Sequence, residues 1–228
     1  MNILEQGLLQ EGFTAEESAA LAVKMETYIK ELQLFNSAYN LVNTDSKDEI
    51  CIRHILDSLS AAQQIKSLAE EKKQAGTDHP VIADIGSGGG LPGIPLAAAF
   101  PQYTFHLVER MSKRCAFLEN AAAVLPLKNV TVQNIEAERV PHASVDIAVF
   151  RAFRPLDKDM IKTLLALLKP DGVLAAYKAR KDKITSEMSS IAAFVPDYTI
   201  IPLTVPFLTG NDEDSRERNL VVIRKQTV

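Results

Sequence analysis

The residues best placed to do chemistry stand at positions 81–95, VIADIGSGGGLPGIP. One acid, Asp84, sits among apolar residues, and glycines follow at 86, 88, 89 and 90. Such a run breaks a buried strand into a tight loop whose backbone can take positive φ and come close to a bound molecule. Two ligands compete for it. Gly88-Gly89-Gly90-Leu91-Pro92-Gly93 fits the pattern that cradles a dinucleotide pyrophosphate at a helix N-terminus. Asp84-x-Gly86-x-Gly88-x-Gly90 instead puts a carboxylate at the strand end, where it repels a pyrophosphate but tolerates the ammonium and sulfonium of S-adenosylmethionine. Charge favours the methyl donor; a glycine turn that binds nothing is the third reading. A second acid, Glu109, follows Gly90 at about the twenty-residue spacing that delivers a carboxylate to ribose hydroxyls.

Methyl transfer from a sulfonium is an in-line displacement, so the protein's main task is to hold donor and acceptor at near-attack distance. The rest depends on the acceptor. A pyrimidine carbon calls for a cysteine nucleophile, and Cys51 and Cys115 sit singly in helix-like surroundings that suit buried free thiols. An exocyclic amine suits an Asn/Asp-Pro-Pro-aromatic clamp where this chain has Phe150-Arg151-Ala152-Phe153. Guanine N7 carries a lone pair and no proton, and needs no general base. A small molecule with a free amine would leave the same signature. No cysteine or histidine spacing suggests a metal site.

The elements that must position these residues read as alternating strand and helix. Strands are expected at 81–85, 103–108, 130–132, 145–150, 173–177 and 220–223, with a further extended stretch at 198–205. Helices are expected from a first turn at Pro92 or Pro95 through Phe100, from Ser112 to Pro126, at 156–168 and at 184–194, with a turn at 169–172 and a long polar loop at 207–218. Right-handed crossovers then give an α/β fold, a mostly parallel twisted sheet with helices on both faces and a ligand at its carboxyl edge. Ahead of it, Thr14 to Glu17 and Ser46 to Glu49 form two capping boxes. The first opens an amphipathic helix of about twenty residues, interrupted from Asn36 to Thr44. On the second helix His54, Asp57 and Ser58 share a face, either as a polar cluster or as a histidine held by its own aspartate. Residues 70–79 read as a linker, so that 1–72 form a helical extension packed on a core at 73–228.

At 228 residues and 46% hydrophobic content the chain can bury an ordinary core. No apolar run is long enough to span a membrane and no secretory signal precedes the first helix, so a cytoplasmic protein is expected. A net charge of −4 does not announce a nucleic-acid binder. The charge is nevertheless uneven, with acids early in the chain and at Asp212 to Asp214. Bases gather at Lys113-Arg114, Arg151, Arg154, Lys178 to Lys183, Arg216 and Arg218, several of them where strands end. A local basic face and scattered solvated charges both fit this pattern.

These motifs together resemble the bacterial 16S ribosomal RNA guanine-N7 methyltransferases, also called the glucose-inhibited division protein B family. The resemblance is carried by Tyr39-Asn40-Leu41, Arg53-His54-Ile55-Leu56-Asp57-Ser58 and the loop from Asp84 through Gly93. It continues in Lys113-Arg114, Ala137-Glu138, Arg151-Ala152-Phe153, Lys178 and Arg218-Asn219. It implies a Rossmann-like class I S-adenosylmethionine-dependent methyltransferase acting on a guanine N7 in the decoding-region hairpin of 16S rRNA, free or in a small-subunit precursor. It also implies a protein that is monomeric and uses neither DNA nor a membrane. Donor contacts would come from Asp84, Gly86, Gly88, Gly90, Leu91, Glu109, Ala137, Glu138 and Arg151. His54 and Asp57, with Arg151, would order the acceptor side, and Lys113, Arg114, Arg154, Lys178 and Arg218 would meet RNA. Glu109 stands where the family more often has aspartate, and Glu136 where arginine is usual. The competing functions are a methyltransferase for a small metabolite and a donor-binding module without catalysis.

Overall fold

The computed structural model describes residues 2–209 and 217–226. Arg216, Asp212 to Asp214 and most of the expected polar loop lie outside the described residues. Among the described residues the strands form one seven-stranded sheet in the order β3-β2-β1-β4-β5-β7-β6, buried at its centre and half-exposed at the edge strands β3 and β6. β1 (Val81–Ile85), β2 (Thr104–Val108), β3 (Val130–Gln133), β4 (Val145–Arg151) and β5 (Leu168–Lys178) run parallel. β6 (Thr199–Pro202) and β7 (Asn219–Arg224) are antiparallel, and β7 lies beside β5. Strand order reverses between β1 and β4, which puts the ligand crevice at the carboxyl ends of those two strands.

The helices begin and end for local reasons. α1 (Ile3–Gln10) starts in a capping box from Asn2 to Glu5, which the sequence reading did not expect because the helix is only eight residues long. α2 (Ala15–Tyr39) starts in the Thr14–Glu17 box as expected, but runs through Asn36. There the asparagine is not a breaker. Its Oδ1 accepts from the backbone N–H groups of Leu41 and Val42 at 2.9 Å, folding the chain back just after the left-handed Asn40 (φ 53°). The following helix is interrupted: α3 (Lys47–Ile50) passes into a π-helical stretch at Cys51–Leu56 before α4 (Asp57–Leu59). α5 (Ala62–Gln74) occupies the first half of the expected linker.

Within the core, α6 (Gly93–Ala99) starts at the prolines that follow the glycine loop, as expected, and α7 (Ser112–Val124) follows β2. α8 (Lys158–Leu167) is capped by Asp157, whose carboxylate accepts from the N–H groups of Asp159 and Met160. β5 absorbs the expected turn at 169–172, where Asp171 takes φ 58° and the pairing with β4 slips between Val145 and Ile147. α9 (Lys181–Ser190) starts earlier than expected. The N-terminal helices share one apolar cluster with one face of the sheet, including Leu4, Met25, Tyr28, Ile55, Leu107, Val149 and Leu220. The other face packs against α8 and α9 through Phe150, Ile161, Leu164, Ile184 and Met188. Among the described residues no helix is long and apolar enough to cross a membrane.

Candidate active site

The glycine loop is held from below. Asp84, buried at the end of β1, accepts through Oδ2 from Ser87 Oγ at 2.7 Å and from the Gly93 N–H at 2.9 Å. Its Oδ1 is buried and has no hydrogen-bond partner among the described residues. Burial pushes the carboxyl up to about 6, against the opposing pull of those two hydrogen bonds. Gly86, Gly88 and Gly90 all have positive φ, at 72°, 58° and 86°. A Cβ on Gly86 would collide with the Phe153 ring. From the opposite side, the buried Tyr28 hydroxyl donates to the Gly89 carbonyl.

Two cavities meet at Gly86 and Phe153. The smaller, about 390 Å³, lies at the ends of β2 and β3 against Glu109, Met111, Ile135 and Ala137. Glu109 is buried, and it accepts from the Gly88 N–H at 3.0 Å and from the Met111 N–H at 2.8 Å. Each oxygen keeps a lone pair free, so the carboxylate can still accept from a ribose. Apolar Ile135 and Ala137 beside it suit an adenine ring. These residues fit S-adenosylmethionine, which when bound supplies a methyl group on an electrophilic sulfonium.

The larger cavity, about 630 Å³, opens on the other side of Gly86 between the N-terminal helices and the ends of β4, β5 and β7. At its centre is Asp57. Its Oδ2 accepts from Arg151 Nη1 at 2.7 Å and its Oδ1 from Arg218 Nε at 3.1 Å. Arg151 also donates from Nη1 to the Arg53 carbonyl at 3.0 Å, and its Nη2 lies 3.2 Å from His54 Nδ1. Since a guanidinium can only donate, that nitrogen of His54 accepts and the proton sits on Nε2, facing Asn43 Oδ1 at 3.3 Å. Burial and then the Arg151 charge lower the His54 imidazole to about 4, so it is neutral at pH 7. His54 and Asp57 thus share a partner, Arg151, rather than bonding each other. The Tyr177 hydroxyl donates to the Ser58 carbonyl at 2.8 Å, and burial raises it well above the usual phenol range.

The sequence-predicted residues divide among these places. Gly86, Gly88, Leu91 and Arg151 line the larger cavity, with His54, Asp57, Lys178 and Arg218. Gly86, Glu109, Ala137 and Arg154 line the smaller. Asp84 and Gly90 line neither: Asp84 lies beneath the loop, and Gly90 is the loop residue turned away from both cavities. Glu138 faces outward and pairs with Arg154 at 2.8 Å, while Arg154 also lies over the Phe153 ring. Lys178 pairs with Glu187 at 2.9 Å. Lys113 is exposed and touches neither cavity, whereas Arg114 lies between the two. Sequence reasoning passed over Tyr28, which its helical spacing marked only as core, and Asn43, whose loop gave no signal.

Similarity to known proteins agrees with this architecture. The family model described as GidB, rRNA small subunit methyltransferase G, matches residues 22–220. A Treponema denticola protein described as ribosomal RNA small subunit methyltransferase G is 38% identical over 244 residues, covering 98% of this chain and 94% of its own. One from Hydrogenovibrio crunogenus with the same description is 38% identical over 216 residues, covering 94% and 90%. Among solved structures, a tRNA (m1A58) methyltransferase from Aquifex aeolicus superposes with a TM-score of 0.54 at 14% identity, covering 76% of this chain and 69% of its own. A predicted O-methyltransferase from Agrobacterium tumefaciens gives 0.53 at 20% identity, covering 76% and 80%. Those two show the fold alone. The chain is therefore a Rossmann-like S-adenosylmethionine-dependent methyltransferase that belongs to the rRNA small subunit methyltransferase G family.

Proposed function

We propose that the chain transfers the donor's methyl group to N7 of a guanine in the decoding-region hairpin of 16S rRNA. Its family membership supports small-subunit rRNA as the substrate. The observation that carries the choice of atom is how the proton acceptors of the larger cavity are held. Asp57 is ion-paired with two arginines, and the one lone-pair nitrogen of neutral His54, Nδ1, already accepts from Arg151. An amine acceptor has to lose a proton during or after the transfer, whereas N7 attacks with its own lone pair. The site's contribution is then placement. Arg151, braced by Asp57, His54 and the Arg53 carbonyl, lines the cavity where the base arrives, and its buried Nε has no hydrogen-bond partner among the described residues. Lys113, Arg154, Lys178 and Arg218 supply cations for the surrounding phosphates.

In this reading residues 1–72 form an extension built on the core at 73–228, because Arg53, His54 and Asp57 complete the acceptor side. The protein acts as a monomer, since its exposed large apolar side chains, such as Val23, Leu34 and Val124, are scattered over several elements. The test is to incubate the protein with methyl-labelled donor and small subunits, or their naked rRNA, from cells lacking this methylation. The RNA is then cleaved chemically at 7-methylguanine. Cleavage at one guanine of the decoding-region hairpin is expected; label in another base, or in no RNA at all, overturns the reading.

A further inference from the structure

Arg114, in the first turn of α7, groups by sequence with the bases expected to face RNA. In the structure it is half-buried where the two cavities meet and lines both. Its Nη2 donates to the Asn40 carbonyl at 3.1 Å. Its Nε is buried and, among the described residues, has no hydrogen-bond partner. Its Nη1 lies beside the glycine loop, 3.9 Å from where a Cβ on Gly88 would stand. The other long-chain cations of the larger cavity each have a carboxylate: Arg53 has Glu49, Arg151 and Arg218 have Asp57, and Lys178 has Glu187. Among the described residues Arg114 has none.

A guanidinium with an unsatisfied buried N–H, against a loop built for close approach, is a site for a small anion. Leaving such a donor unpaired is costly, and a charge-assisted, forked contact to a carboxylate would remove the cost. S-adenosylmethionine carries one anionic group, the α-carboxylate of its methionyl part. A molecule whose adenosine lies against Glu109 and Ala137 and whose sulfonium lies near Gly86 has that carboxylate left to place. A phosphate of the RNA is the other anion at hand, but it would arrive at the rim, where Lys113 is exposed, rather than behind the glycine loop.

We propose that Arg114 binds the α-carboxylate of S-adenosylmethionine and is a donor-binding residue rather than an RNA contact. The proposal rests on the use of this donor. The test is calorimetric titration of the full chain, wild type and Arg114→Gln, with S-adenosylmethionine and with its decarboxylated form, which keeps adenosine, sulfonium and amine. Wild type should bind the decarboxylated form about 10-fold or more less tightly, the scale of one charged hydrogen bond. Arg114→Gln should lose a similar factor for S-adenosylmethionine and less than about 3-fold for the decarboxylated form, so that the preference collapses. Equal losses for both ligands would make Arg114 a tether of the loop and overturn the proposal. Equal wild-type affinities for the two would overturn it without any variant. A lower salt slope for RNA binding, with donor affinity unchanged, would assign Arg114 to a phosphate instead. Wild type binding neither ligand would instead overturn the use of the donor itself.

Discussion

The two cavities that meet at Gly86 and Phe153 are built in opposite ways. In the smaller cavity, where the proposed reading puts the donor's adenosine, Glu109 is fixed by backbone N–H groups of Gly88 and Met111, and the walls come largely from strand ends of the sheet. In the larger, where it puts the acceptor, the frame is made of side chains from distant segments: Asp57 meets Arg151 across 94 residues of chain and Arg218 across 161. A backbone-built site is a property of the fold and can be shared by every enzyme that uses the same donor. The side-chain site is the part that can be shaped to one acceptor. Damage should therefore separate, with donor affinity lost on one side and turnover on the other.

The largest effect should come from Asp57→Ala, which leaves two arginines without their shared anchor. Methyl transfer should fall by about 100-fold or more, the cost of misplacing a reacting group by about 1 Å, while donor affinity changes less than about 3-fold. Single-turnover transfer and calorimetry on the same preparation check both halves; a matching loss of donor affinity would break the division between the cavities. Next comes Glu109→Ala on the donor side. In the proposed reading this carboxylate both holds the loop and meets the ribose, so removing it should weaken donor binding by about 10- to 100-fold, the range for hydrogen bonds to a charged group. RNA affinity in a filter-binding assay should stay unchanged.

A smaller effect should follow Gly86→Ala, because its φ of 72° is unfavourable for any L side chain and the new methyl would meet Phe153. About 1–2 kcal/mol of stability should be lost from the backbone strain, read by denaturant unfolding, together with weaker donor binding. The last difference is in pH. His54 is lowered from 6.5 to about 4 in the folded chain, so below pH 6.5 the unfolded chain takes up its proton first. The stability that His54 contributes is complete above pH 6.5 and is lost as pH falls towards 4. His54→Gln should lose less stability than wild type between about pH 7 and about pH 5; identical losses would show that the imidazole is not held neutral.

The same contrast explains what could be read from the sequence. β1, β2 and β4 stand within a residue of where their apolar runs place them, and spacing alone brings the glycine loop and Glu109 to neighbouring strand ends. What the sequence does not show of Asp84 is that its carboxylate braces the loop through Ser87 and Gly93. Asn36 was read as a helix breaker, since a sequence does not show that its amide turns back to cap the next loop. The π-helical stretch at Cys51–Leu56 was invisible for a related reason, as it changes hydrogen-bond register without changing composition. That His54 and Asp57 belong together was visible in their three-residue spacing. Their common partner at Arg151 was not, because no local pattern connects segments so far apart.

The pH dependence of methyl transfer itself tests most directly whether the acceptor attacks with its own lone pair. The rate should be measured in single turnovers with RNA bound and donor saturating, from about pH 7 to about pH 8.5. With Asp57 ion-paired to two arginines and the His54 lone pair turned to Arg151, the expected rate is flat across that range. A rate that climbs about tenfold per pH unit would show that a proton must leave before transfer, and would contradict methylation at guanine N7 without a base.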